Sequence, residues 1–129
     1  MYNFSNKCFW KGSFKKFMDC IFCKIINKEI PSKIIYEDEK ILIFNDINPA
    51  APVHFLVIPK KHIDSAEKIG PKNKDVISYI FIKIAEITKK LGLKNGFRIV
   101  NNCGADGGQT VNHIHFHVLG GRKLGWPPG

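Results

Sequence analysis

An α+β domain built on an antiparallel sheet is the fold class that the sequence predicts, and three observations carry it. Five short segments rich in β-branched and aromatic residues are bounded by turn-forming residues. One long segment instead repeats its apolar residues at helical spacing. The connections between these segments are mostly short, as antiparallel neighbours allow.

In chain order, Ile21 to Ile30 reads as a short helix that Pro31 ends, because the residue before a proline is pushed out of helical backbone. Lys33–Glu37 and Ile41–Asp46 read as strands joined by the acidic turn Glu37-Asp38-Glu39. Asn48-Pro49-Ala50-Ala51-Pro52 is a loop, since two prolines so close together deny regular structure. His54–Pro59 is a third strand. Val76, Ile77, Ile80, Phe81, Ile84, Ile87 and Leu91 then share one face of a long helix, with Gly92 as its stop. Asn95-Gly96 turns the chain into a fourth strand, Phe97–Asn101. Gly104–Gln109 is a glycine-rich connection, and His113–Leu119 is the fifth strand. The expected architecture is a five-stranded antiparallel sheet with one long helix and one or two short ones.

At 129 residues, 44% of them hydrophobic, the chain has material for one domain with one core. No apolar run approaches the roughly 20 residues of a membrane span, so no membrane partner is expected. The formal net charge is +9, yet the lysines are scattered, and arginine occurs only at Arg98 and Arg122. Mild attraction for small anionic substrates is the expected consequence, and a nucleic-acid partner is not expected. Residues 1–19 mix aromatics with Lys7, Lys11, Lys15 and Lys16 without steady periodicity. They read as a flexible N-terminal extension ahead of a domain spanning 20–129. They hold no uninterrupted apolar stretch of a secretory leader, so a reducing location is expected, cytoplasmic and also nuclear. In such a compartment Cys20-Ile21-Phe22-Cys23 is a metal half-site or a redox pair rather than a structural disulfide.

Chemistry concentrates in His113-Ile114-His115-Phe116-His117-Val118-Leu119. Alternation with period two points Ile114, Phe116 and Val118 into a core and all three histidines to the opposite face. Neighbouring histidines are then roughly 7 Å apart, and the outer pair roughly 13–14 Å. One metal ion can take an i, i+2 pair but hardly both ends, so the row is divided between tasks. The loop Asn102–Thr110 feeds straight into it. Its glycines let backbone N–H groups turn toward a phosphate, while Thr110 adds a hydroxyl and Gln109 an amide. An anion cradle beside imidazoles suggests phosphoryl or nucleotidyl transfer. Cys20 and Cys23 have the spacing that places two thiolates on one tetrahedral zinc. Cys103, His54, His62 and His113 are the candidates for the remaining two ligands, and four protein ligands would make the metal structural. Asp46, at a strand end, either accepts from ribose hydroxyls or caps the turn before Asn48-Pro49.

The block from Gly107 to Arg122, Gly-Gly-Gln-Thr-Val-Asn-His-Ile-His-Phe-His-Val-Leu-Gly-Gly-Arg, resembles the signature of the histidine-triad (HIT) family. Further matches are Cys20-Ile-Phe-Cys-Lys-Ile-Ile26, Phe44-Asn-Asp-Ile47 and His54-Phe-Leu-Val-Ile-Pro-Lys-Lys-His-Ile63. The Gly-Gly-Arg continuation and the Trp-Pro-Pro-Gly end at 126–129 resemble its Hint branch, the purine nucleoside phosphoramidases. The resemblance runs from about Cys20 to Gly129, and residues 1–19 stand outside it.

That resemblance implies a HIT-like fold and a hydrolase that cleaves the P–N bond of purine nucleoside 5′-phosphoramidates, including aminoacyl-linked forms. His115 would be the nucleophile, forming a nucleotidyl-histidine that water hydrolyses, which divides one hard displacement into two easier ones. His117 and Thr110 would approach the phosphate oxygens, and backbone N–H groups around Gly108 and Gln109 would stabilise the developing charge. Asn102 would reach the phosphate or sugar-side oxygens, and Asp46 would hold the ribose. Ile47, Phe44, Phe22 and Ile30 would make an apolar slot for the purine. His54 would support the site through hydrogen bonding. Zinc would be held by Cys20, Cys23, His62 and His113, and no cofactor would be needed for the chemistry itself. The family also implies a homodimer with the sheet continued across its two-fold axis and the Trp126 tail near the partner's site. Cys103 receives no role. The competing readings are a dinucleoside polyphosphate hydrolase, a nucleotide-binding interaction module and a basic nucleic-acid-binding module, the last marked by steep salt dependence.

Overall fold

A period-two pattern buries both faces of a sheet only if something covers each face, and here two different helices do so. A computed structural model describes residues 19–129, so the expectation for the extension lies, apart from Asp19, outside the described residues. Helix α1 (Ile21–Ile26) precedes strands β1 (Ile34–Glu37), β2 (Ile41–Asn45) and β3 (Val53–Pro59). The long helix α2 (Lys74–Lys90), β4 (Phe97–Val100), the single helical turn α3 (Gly104–Gly107) and β5 (Phe116–Gly120) follow. The strands form one antiparallel sheet in the order β1-β2-β3-β5-β4. This is the predicted α+β class, with three α-helices among the described residues, of which one is long.

Alternation assigns each strand residue to a side. Ile41, Ile43, Phe55, Val57, Phe116 and Val118 face α2, where Ile80, Ile84 and Ile87 complete one core cluster. Leu42, Phe44, Leu56 and Ile58 face the other way, onto Phe22, Ile25 and Ile26 of α1. Helix α2 has Asp75 in its first turn and Lys89 and Lys90 in its last, each charge favouring the dipole end it occupies. Gly92, at φ +74°, turns the chain out of the helix as predicted. Thr88, which the apolar pattern passed over, is buried on the same face and donates its hydroxyl to the Ile84 carbonyl at 2.8 Å.

Strand ends otherwise agree within one residue, and three larger departures from the sequence reading stand out. The first helix stops at Ile26 rather than Ile30, because Lys28 adopts φ +64° and the N–H of Glu29 folds back onto the Lys24 carbonyl. The glycine-rich connection contains a helical turn, held by the Gln109 side chain accepting from the Gly104 N–H at 3.0 Å. The fifth strand starts at Phe116, not His113, because the Ile114 N–H bonds to Ile63 beyond the end of β3 instead of joining the ladder.

Candidate functional site

Helix α1 brings two sulfurs to one point because residues three apart share a helical face. Cys20 is its N-cap, accepting the Cys23 N–H at 3.3 Å. His62 arrives from the segment after β3 and His113 from the segment before β5. The ligand atoms of Cys20, Cys23, His62 and His113 all lie within 4.8 Å of one another, and all four residues are buried. His113 Nδ1 is 3.3 Å from Cys20 Sγ and 3.6 Å from Cys23 Sγ, while His62 Nδ1 is 3.3 Å from Cys23 Sγ. A tetrahedron with zinc–sulfur and zinc–nitrogen bonds of usual length has S···N edges of about 3.5 Å.

The outer nitrogens of these imidazoles complete the fit. His113 Nε2–H donates to the Pro59 carbonyl at 2.8 Å, and His62 Nε2–H to the Asp64 carboxylate at 2.8 Å. Both partners hold the proton on Nε2 and leave the Nδ1 lone pairs facing the two sulfurs, the usual support of a metal-bound imidazole. Burial lowers the His113 pKa to about 3 and pushes the Cys20 thiol up. A neutral imidazole suits a metal directly; a divalent cation supplies the charge that a buried thiolate needs. The Cys2His2 cluster therefore fits a structural zinc. Of the four candidates for the second pair of ligands, His62 and His113 are gathered here; Cys103 instead sits half-buried as the N-cap of α3.

The second histidine group lies on the same side of the sheet as α1. Pairing of Leu56 with His117 and Val57 with Phe116 puts His117 beside β3, two positions along from His54. His54 Nδ1 accepts the Ala50 N–H at 3.0 Å, which places the His54 proton on Nε2. That Nε2–H points at His117 Nδ1, 2.9 Å away, so His117 in turn carries its proton on Nε2. His115 is the opposite tautomer: its Nδ1–H donates to the His113 carbonyl at 2.8 Å, leaving the Nε2 lone pair available. Burial lowers the His115 pKa; burial, with the neighbouring His115 and His54, lowers that of His117 to about 4. Both imidazoles are neutral at pH 7.

Of the two roles weighed for Asp46, the turn cap is present. One carboxylate oxygen accepts the Asn48 N–H at 2.8 Å, the turn cap, while the other lies 3.4 Å from His54 Nε2 and 3.9 Å from His117 Nδ1. Asp46, His54 and His117 also satisfy the distances of a two-histidine, one-carboxylate metal group. The Ala50 N–H argues against a metal there. A neutral His54 ligating through Nε2 would carry its proton on Nδ1, facing that donor.

A groove of about 880 Å³ opens beside this group, with Asn45, Asp46, Ile47, Pro49 and His54 in its lining. Of the apolar slot, Ile47 is 89% exposed and Ile30 half-buried. Phe22 and Phe44 are core residues, packed edge to face at 5.6 Å. Gly108 and Thr110 are exposed, and Asn102 and Gln109 half-buried. The expected use of the Gly108 and Gln109 backbone amides needs correction. Their N–H groups donate to the Ala105 and Gly104 carbonyls at 3.1 and 3.0 Å, because the helical turn before them consumes both. The Gln109 amide is likewise spent, on the carbonyls of Asp64 and Val111.

Comparison with known proteins agrees with this geometry. The HIT domain profile matches residues 27–124. The chain belongs to the HIT domain family. The HIT domain here is 48% identical over 111 residues to a 14 kDa zinc-binding protein of Zea mays, covering 84% of this chain and 87% of that one. A HIT family hydrolase from Legionella pneumophila superposes with a TM-score of 0.85 at 45% identity, covering 86% of this chain and 100% of its own. The histidine triad nucleotide-binding protein of Candida albicans gives 0.73 at 37% identity, over 84% and 83% of the two chains. The chain thus has the fold of a HIT family hydrolase and a nucleotide-binding relative.

Within this HIT domain several contributors escape a reading by residue type. The Pro59 carbonyl and the Ala50 N–H are backbone groups, which no side-chain pattern marks. Asp64 did carry a signal, a carboxylate two residues after a histidine that is a candidate metal ligand.

Proposed function

We propose that this HIT protein is a purine nucleoside phosphoramidase of the Hint type, hydrolysing nucleoside 5′-phosphoramidates to the nucleoside monophosphate and an amine. The observation that carries the reading is the bond from His115 Nδ1–H to the His113 carbonyl at 2.8 Å. It fixes an unprotonated Nε2 on a buried, neutral imidazole, which is what attack on phosphorus needs at pH 7. His115 Nε2 bonds to the α-phosphorus, the P–N bond to the leaving amine breaks, and the amine departs with a proton from solvent, which the water consumed in the second step gives back. Water then attacks the nucleotidyl-histidine, giving the monophosphate and restoring His115.

The neighbouring groups have work consistent with their positions. His117 presents Nε2–H as a donor to a phosphate oxygen because His54 occupies its Nδ1. The Thr110 hydroxyl and the Asn102 amide are groups the loop can still offer the phosphate, whereas the Gly108 and Gln109 N–H groups are engaged. Asp46 accepts from the ribose hydroxyls at the mouth of the groove, and Ile47 and Ile30 flank the purine. Bound zinc would tie α1 to the ends of β3 and β5 and leave the chemistry to these side chains.

Gly120-Gly121-Arg122 and the tail from Trp126 support the Hint branch over the dinucleoside polyphosphate hydrolases. We also read the protein as a homodimer whose sheet continues across the β4 edge, where Phe97 is 41% exposed, with Trp126, 82% exposed, available to a partner. The extension 1–19 preceding a HIT domain over 20–129, and a cytoplasmic and nuclear location, belong to the same reading. Purified protein offered adenosine phosphoramidate and diadenosine polyphosphate, beside His115→Ala, tests it. Release of AMP from the phosphoramidate by wild type alone supports it, and equal release by the mutant or preference for the dinucleotide overturns it.

A further inference from the structure

The tautomers of His54 and His117 depend on one backbone amide, so what holds that amide bears on the site. Ala50 lies in the irregular loop between β2 and β3, whose prolines cannot donate to any ladder. Two contacts from the turn after β5 steady that loop. Arg122 donates from Nη2 to the Ala50 carbonyl at 2.9 Å and from Nη1 to the Lys123 carbonyl at 3.1 Å. Beside it, Gly121 is at φ +90°, and a Cβ there would come within 2.9 Å of the Pro52 side chain. The backbone of the turn is therefore pressed against the far end of the same loop.

We propose that Arg122 is a positioning residue for the His54–His117 pair. Its guanidinium holds the Ala50 carbonyl and, through the Ala50 Cα, steadies the N–H of the peptide before it, so that the Ala50 N–H stays on His54 Nδ1, His54 Nε2–H stays on His117 Nδ1, and His117 keeps Nε2–H for the phosphate. The chain of bonds runs 2.9 Å, 3.0 Å and 2.9 Å from Arg122 to His117. The last link, to the phosphate, rests on the phosphoramidase reading; the links before it do not. Lose the clamp, and His54 can take either tautomer. With its proton on Nδ1 it would turn a lone pair toward His117, forcing the His117 proton onto Nδ1 and removing the donor at Nε2. The same clamp keeps the Asp46, His54 and His117 group from ligating a metal.

Nitrogen-15 NMR of the full-length, zinc-loaded protein, with long-range correlations that distinguish imidazole tautomers, tests this with no substrate present. Wild type is expected to show His54 and His117 each as the single Nε2–H form. Arg122→Met, a change at an exposed side chain, is expected to shift both toward a tautomer mixture. Arg122→Lys, which keeps one donor for the Ala50 carbonyl, is expected to restore most of the wild-type spectrum. With adenosine phosphoramidate, Arg122→Met should lower kcat about tenfold, part of the roughly 10²–10⁴ that a positioned acid–base group contributes, with KM little changed. Unchanged His54 and His117 signals in Arg122→Met would overturn the positioning role even if activity fell. Tautomers that shift as expected in a protein whose wild type releases no AMP would uphold the clamp and remove the phosphoramidase reading instead.

Discussion

The ring of Phe22 stands edge-on to the ring of His115, with centroids 5.1 Å apart and planes at 88°. Phe22 lies between Cys20 and Cys23, and its ring also meets His113 at 5.9 Å. The wall behind the proposed nucleophile is thus part of the metal-bearing turn. Removing the metal should loosen both.

Cys20→Ser/Cys23→Ser is expected to lose its zinc and to melt about 10 °C or more below wild type, as loss of several kcal/mol from a domain of this size would produce. Because Phe22 shifts with α1, kcat should fall as well. Metal analysis and calorimetry of the two proteins check this. Equal zinc content, or equal Tm with zinc absent, would refute the structural metal.

The depressed pKa of His117 has a definite sign in stability. Its native value of about 4 lies below the ordinary 6.5, so between those values the unfolded chain binds more protons than the native one. Stability contributed through His117 is therefore complete above pH 6.5 and is lost as pH falls toward 4. Urea unfolding should show wild type losing about 1–2 kcal/mol more than His117→Asn between pH 7 and pH 5. Identical losses would mean that burial does not keep this imidazole neutral.

Ile47 is 89% exposed at the groove that holds Asp46, so replacing it should affect binding and not folding. Ile47→Asp is expected to raise KM for adenosine phosphoramidate about tenfold, as partial loss of a buried isoleucine contact would. Tm should stay near wild type, as at most surface positions. A fall in kcat at constant KM would take Ile47 out of the purine slot.

The fold was legible wherever a local period decides the outcome. Ile114, Phe116 and Val118 reach the α2 core while the histidines take the other side, because alternation needs only extended backbone. Where the ladder begins was not legible: the Ile114 bond to Ile63 depends on a segment 51 residues away in the sequence. The helical turn Gly104–Gly107 was hidden for a related reason. Its glycines disfavour helix, and a side chain from beyond the turn, Gln109, holds it. At the site, residue types marked Cys20, Cys23 and the histidine row but left four candidates for the remaining zinc ligands, from which family resemblance took His62 and His113. Family resemblance divided the row between tasks. The tautomers came from neither, since they are set by the Pro59 and His113 carbonyls and the Ala50 N–H.

The most direct test of the central claim is to look for the covalent intermediate. Wild-type protein mixed with adenosine phosphoramidate is quenched within a turnover in alkaline denaturant, digested, and mapped by mass spectrometry. An adenylyl group on His115, absent from His115→Ala, is the predicted result. An adduct on His117 or His54, or AMP formed by His115→Ala at the wild-type rate, would contradict the account.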